Sequence, residues 1–211
     1  SMSLFMIGYM TTTSFGLYFF KYAFKNEGMY SVFALILGLA QLTALSVFPL
    51  FSIKFTRKQL YTSSIILVIS GYLIFFFAPM NMIPIGLGGL CIFFGQAFIQ
   101  LLMLMFLADT VEYGQWKLGK RNEGVTFSIQ PFINKLGGAI ASGIVGYIIV
   151  ISGINRAQTP DDVTQNGLLL MKTAMLILPL LSITAGFIVY LAKFKIDAVF
   201  YRKILSDLEK N

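Results

Sequence analysis

Six apolar stretches, separated by short polar and charged segments, run along the chain at residues 2–24, 31–52, 60–78, 83–107, 124–152 and 167–192. Each is long enough to cross a hydrocarbon core of roughly 30 Å as a helix, which takes about 20 residues. Helices satisfy every backbone polar group within the segment, as lipid requires, whereas a barrel would need short alternating strands that are missing here. The pattern predicts an all-α membrane protein with a bundle of six transmembrane helices over residues 1–193. From residue 194 to 211 the character changes. Ile196, Val199, Phe200, Ile204, Leu205 and Leu208 recur at helical spacing with charges between them. That predicts an amphipathic tail, either lying on the membrane face or docked on neighbouring loops.

Composition sharpens the class. Of 211 residues, 57% are hydrophobic and 12% charged, against about 25% charged in a soluble domain. The mean hydropathy is +0.79. So little polar surface can cover neither a water-soluble globule nor a disordered chain. The chain has no histidine and one cysteine, Cys91, so no internal disulfide forms and Cys91 reads as a small packing residue. Without histidine, an HExxH zinc motif, a mid-membrane aspartate pair or a Ser–base pair, an intramembrane enzyme is not expected and no cofactor is implied. The abrupt Ser-Met-Ser start has no basic flank and no signal-peptide pattern, and reads as a scar or a point of truncation.

The net charge of +7 resolves once the basic residues are placed. Lys54, Arg57 and Lys58 follow the second stretch; Lys117, Lys120 and Arg121 follow the fourth; Lys193, Lys195, Arg202, Lys203 and Lys210 follow the sixth. Those eleven face three on the other side, Lys21, Lys25 and Arg156. By the positive-inside rule both termini are cytoplasmic. The basic excess then encodes topology, and nucleic acid is not an expected partner.

Candidate chemistry lies inside the membrane. Lys135 sits near the middle of the fifth stretch, where an ammonium is costly unless it faces a cavity or a partner charge. All nine acidic residues lie outside span centres, so a partner would come from another polypeptide or another half of the protein; a snorkelling lysine is the bland alternative. Lys172, closer to a span end, reads as snorkelling. Gln130 and Asn134 share the polar region of the fifth stretch. Pro131 removes one helical hydrogen bond there and is expected to loosen the helix. Gly138, Ser142 and Gly146 form a small-residue stripe expected to pack tightly on the side away from the polar residues. In the fourth stretch Gln96 and Gln100 need polar partners, from a wet cavity or from a neighbouring helix. Residues 108–124 read as a loop with Asp109, Glu112 and Glu123 set against Lys117, Lys120 and Arg121. Such a cluster is either a charge gate between two conformations or a solvated loop.

The stretch ADTVEYGQWKLGKRNEG, residues 108–124, followed by FSIQPFINKLGGAIA, resembles the glycoside–pentoside–hexuronide:cation symporters. This is the family of the melibiose permease, within the major facilitator superfamily. The resemblance is specific over 108–146 and diffuse elsewhere. It implies that the chain is the carboxy-terminal half, spans 7–12, of a twelve-span carrier in a bacterial inner membrane. It implies symport of a sugar, glycoside or hexuronide with Na⁺ or H⁺ by alternating access. The partners are then that substrate, a monovalent cation, membrane lipid and an amino-terminal half that holds most of the cation site. It implies Lys135 and Gln130 as cavity residues, and Asn134, Gln100 and Gln96 join them as candidates on their polar character inside the fifth and fourth stretches. Asp109, Glu112 and Arg121 are implied gate charges, with Arg57 and Lys58 of KFTRKQ, residues 54–59, as partners. Gln100 stands where some members place a sugar-stacking tryptophan, and Phe55 where a glycine is common. A carrier of lipid-like or other organic solutes, or a six-helix homodimer, are the competing readings.

Overall fold

The computed structural model describes residues 1–194, 196 and 198–208. Lys195, Asp197, Glu209, Lys210 and Asn211, which the charge count and the tail pattern include, lie outside the described residues. All regular structure among the described residues is helical. The order is α1 (Met2–Tyr18), a π-helical turn (Phe19–Ala23), α2 (Gly28–Lys54), α3 (Arg57–Phe77), α4 (Met82–Leu118) and α5 (Glu123–Ile151). After two short 3₁₀ turns come α6 (Gln165–Lys193) and α7 (Ala198–Leu208).

Five helices, α2 to α6, are long and apolar enough to cross a membrane. The first predicted span differs: α1 has 17 residues and covers the stretch only together with the π-helical turn it runs into. There Phe24 and Asn26 N–H groups reach the Phe19 and Phe20 carbonyls at 2.9 and 3.0 Å, and Lys25 ends the run at φ 57°. The long helices alternate in direction. Ser1, Tyr61, Phe106 and Tyr190 meet at one end, hereafter the basic end. Lys25 and Asp161 pair at the other, where the Lys172 ammonium also lies 5.4 Å from the Phe76 ring centre.

The most extensive helix contact is α3 on α4, and glycine makes it possible. A Cβ on Gly71 would lie 2.8 Å from the Gly88 carbonyl oxygen, and one on Gly95 would lie 2.8 Å from the Ser64 carbonyl oxygen. Gly88 and Gly95 are seven apart on α4, as Ser64 and Gly71 are on α3, so two small-residue stripes face each other over two turns. Aromatic rings fill the space beyond the backbone contact: Phe33 packs against Phe20, Phe75 and Phe93 at centroid separations of 5.1, 5.9 and 5.8 Å. Across the buried centre, the Tyr72 and Thr12 hydroxyls lie 2.7 Å apart and Thr12 donates to the Met175 carbonyl at 3.0 Å. That relay joins α1, α3 and α6 with its polar atoms satisfied, as burial in an apolar bundle requires.

Three expectations change. Residues 108–118 are the last turns of α4 rather than loop. Helix-forming Glu112, Gln115 and Lys117 carry it on, and Gly119 at φ 65° closes it by returning its N–H to the Gln115 carbonyl. Pro131 leaves α5 unbroken. The small stripe of α5 does not make the tight contact: a Cβ on Gly138 or Gly146 would meet nothing within 4 Å, and Ser142 is exposed. The close approach runs through Gly137, where a Cβ would sit 3.2 Å from Met6 Cβ of α1, and through buried Ala141 and Val145.

The tail helix packs on the protein. Trp116 of α4 donates its indole N–H to Asp207 Oδ2 at 3.1 Å and meets the Phe200 ring edge-on at 5.7 Å. Ile204 is fully buried.

Gly95→Val should destabilise the bundle by about 1–3 kcal/mol, the usual range for overpacking, and lower the thermal unfolding midpoint of the full-length protein in detergent. Gly143→Ala, which meets nothing within 4 Å, should leave the midpoint unchanged or raised. Equal losses in both would contradict the α3–α4 contact.

Candidate functional site

Two clusters of polar side chains stand out, one at mid-depth and one at the basic end. At mid-depth, α2, α4 and α5 enclose a cleft of about 130 Å³ lined by Gln41, Gln100 and Gln130 with Leu45, Ala97, Leu101 and Leu104. Three amides converge because each sits on the inner side of its own helix, half-buried among aliphatic neighbours. An amide offers both donors and acceptors, so the trio can hydrogen-bond a polyhydroxylated solute without adding charge. Ligand pockets usually measure about 300–1,000 Å³; this cleft can therefore supply only one wall of a site.

Gln96, one turn before Gln100, does not line that cleft. It is 1% exposed, and among the described residues neither its amide nitrogen nor its oxygen has a hydrogen-bond partner. Tyr9 of α1 neighbours both Gln96 and Gln41, and its ring meets Phe93 edge-on at 6.2 Å. Asn134 lies one turn after Gln130 on the same side of α5 and is half-buried.

Lys135 projects from the other side. It is twelve residues into α5, roughly 18 Å along the axis at 1.5 Å per residue, which is near the middle of a bilayer core. It is exposed and forms no ion pair among the described residues. Helical spacing places it in line with Ser128, Gly138, Ser142 and Gly146. The lysine and the small residues thus share one open polar face of α5, adjoining the Gly137–Ala141–Val145 seam.

At the basic end, Arg57 at the start of α3 pairs with Asp109 of α4. Thr56 and Gln59 form a capping box that starts α3 and orients Arg57. The guanidinium also lies 4.9 Å from the Tyr201 ring centre of α7. Burial pushes the Tyr201 phenol up; its hydrogen bond to Glu112 and that carboxylate's charge push the same way, while Arg57 opposes them. Among the described residues no hydrogen-bond partner meets the buried Glu112 Oε2. Lys58 lines the same region. Arg121 is not drawn in. It bonds Glu123 at 2.5 Å and the Gln115 amide oxygen at 3.1 Å, both close by in sequence.

A family profile described as "MFS/sugar transport protein" matches residues 1–198. The chain belongs to that family. The raffinose carrier protein of Pediococcus pentosaceus is 32% identical over 204 residues, covering 97% of this chain and 32% of that protein. The lactose permease of Leuconostoc lactis is 28% identical over 207 residues, 98% of this chain and 32% of the permease. The glucuronide carrier protein homolog of Escherichia coli K12 is 31% identical over 160 residues, 74% of this chain and 35% of that protein. The chain therefore spans about a third of the length of the curated relatives it matches. These relatives are carriers and permeases, not enzymes, and they place the chain among integral membrane proteins of the glycoside–pentoside–hexuronide type.

Within this family fold, the pattern of the sequence misses Gln41 and Tyr201. Gln41 carries the same signal as Gln96 and Gln100, an amide inside an apolar stretch. Tyr201 shows no such signal, since its role depends on α4 extending far enough to meet α7.

Removing Arg57 leaves Asp109, whose side chain is 4% exposed, as a buried unpaired charge. Arg57→Gln should cost about 2 kcal/mol, below the range for fully buried pairs because Arg57 is 34% exposed. Adding Asp109→Asn should restore most of it. A denaturant-unfolding cycle on the full-length protein checks this; additive losses would rule out the coupling.

Proposed function

We propose that this chain is the carboxy-terminal half of a sugar carrier that works by alternating access. It supplies one wall of a central cavity, and a second six-helix half supplies the other. A sugar or glycoside enters with a coupling cation, Na⁺ or H⁺, and the two halves rock about the bound solute. The observation that carries the reading is the open face of α5: Lys135 stands at mid-depth with no carboxylate among the described residues paired to it, on the side of α5 turned away from the cleft of three amides. A charge so placed is stable where water, a solute or a carboxylate from the other half meets it. The names of the relatives, raffinose carrier, lactose permease and glucuronide carrier, support a saccharide as the solute.

In this reading Gln41, Gln100 and Gln130 hydrogen-bond sugar hydroxyls, with Asn134 beside them, and Lys135 contributes to the cation and sugar region. Gln96 stands behind them, buried next to Tyr9. The basic end faces the cytoplasm of a bacterial inner membrane. There Arg57, Asp109 and Glu112 form this half's side of a gate, with Lys58 and Arg121 at its edge. The bundle over 1–193 carries transport, and the tail over 194–211 braces the gate.

Lys135→Ala in the full-length carrier should abolish concentrative uptake of radiolabelled sugar in cells, while energy-independent exchange persists in part. Gln41→Ala should weaken sugar binding roughly tenfold, the effect of losing hydrogen bonds worth about 1.4 kcal/mol. Near-normal accumulation by the lysine variant would overturn the assignment.

A further inference from the structure

Behind the amide cleft, α1 approaches α2 and α4 through the half-buried Tyr9. Its ring meets Phe93 of α4 edge-on, and Phe93 in turn packs edge-on against Phe33 of α2 at 5.8 Å. Both phenylalanines are buried, so the tyrosine ring sits on a fixed surface. Gln96 follows Phe93 by three residues, on the same side of α4. The seated ring therefore brings the Tyr9 hydroxyl beside two amides, that of Gln96 on α4 and that of Gln41 on α2. Gln41 lines the cleft and Gln96 does not.

Packing does not account for Gln96. Among the described residues both its polar side-chain atoms lack a hydrogen-bond partner, and a buried unsatisfied amide destabilises the conformation that holds it. A leucine would fill a similar space without that cost, so the stability of this conformation gives no reason for an amide at position 96.

Solute binding gives one. A phenol donates one hydrogen bond and accepts another, so the Tyr9 hydroxyl can serve both amides at once and tie the buried one to the one at the cleft wall. Resting on the saccharide reading of the cleft, we propose that Gln96 and Tyr9 are positioning residues for the sugar. When a sugar occupies the cleft, the chain Gln96–Tyr9–Gln41 closes and holds the Gln41 amide against a sugar hydroxyl. The bond that satisfies Gln96 then forms with the solute bound and is open without it. The same amide thus weakens the free carrier and strengthens the occupied one, and α1 responds to the solute together with α2 and α4.

Thermal unfolding and equilibrium binding of the full-length carrier in detergent test this, with glucose, lactose and raffinose as probes. Gln96→Leu should leave the sugar-free unfolding midpoint unchanged or raised. It should also weaken binding of each probe that the unsubstituted carrier takes by roughly fivefold, the effect of one hydrogen bond. Tyr9→Phe removes only the hydroxyl and should weaken binding by a similar factor, which keeps the proposal testable if the leucine variant does not fold. In a Gln41→Ala background Tyr9→Phe should have no further effect, because the chain then ends short of the cleft. A merely structural role would lower midpoint and affinity together and would not depend on Gln41. Unchanged binding in both single variants, a joint fall of midpoint and affinity, or a full Tyr9→Phe effect without Gln41 would overturn the proposal while leaving the saccharide reading intact. Failure of the unsubstituted carrier to bind any of the probes would overturn that reading, and this inference with it.

Discussion

The approach of α3 to α4 over Gly71, Gly88 and Gly95 is the contact on which the arrangement of the other helices rests. In lipid, apolar side chains gain little by leaving their surroundings, so helices associate through close packing and satisfied polar groups. Glycines let the two backbones touch, and α4, held there, becomes the most buried helix of the bundle. From that position it presents Gln100 to α2 and α5 at mid-depth and Asp109 to α3 at the basic end. Substituting this seam would therefore disturb both polar clusters although none of its residues belongs to either.

The same physics explains the division of α5 into two faces. Gly137, Ala141 and Val145 press against α1, while Lys135 and Ser142 are exposed and, among the described residues, nothing would meet a Cβ on Gly138 or Gly146. A helix in lipid exposes leucine and isoleucine at no cost, as α2 does at Leu35, Leu39 and Leu42. It does not expose a mid-depth lysine and a row of small residues without reason. That open face is where the proposed second half would sit.

At the basic end the tail joins the two clusters of aromatic and charged groups into one assembly. Trp116 holds Asp207, Phe200 packs between Tyr113 and Trp116, and Tyr201 lies between the Arg57 guanidinium and the Glu112 carboxylate. The Arg57–Asp109 pair and the tail are thus mechanically linked. A change of conformation that separates Arg57 from Asp109 must also shift Tyr201.

Much of this was legible in the order of residues. Apolar runs longer than about 20 residues give helices that span lipid, whatever their neighbours, because the backbone bonds close within each run. Lysine and arginine placement predicts orientation for an equally local reason. The chemistry of Gln100, Gln130 and Lys135 was also visible, since polar atoms inside apolar runs carry their own cost. Which way those atoms point depends on the neighbours. Helical repeat singled out the small-residue stripe of α5 for close packing, and only the packed bundle put the contact at Gly88 and Gly95 of α4 and left Gly138 and Gly146 open. The same holds for the end of α4: charged residues from Asp109 onward suggested a loop, and the helix continues because Arg57 neutralises Asp109 and α7 pins Trp116. Local sequence determined where helices form and what chemistry they carry. Tertiary contacts, made between residues up to 163 positions apart, decided which polar groups meet and which face stays open.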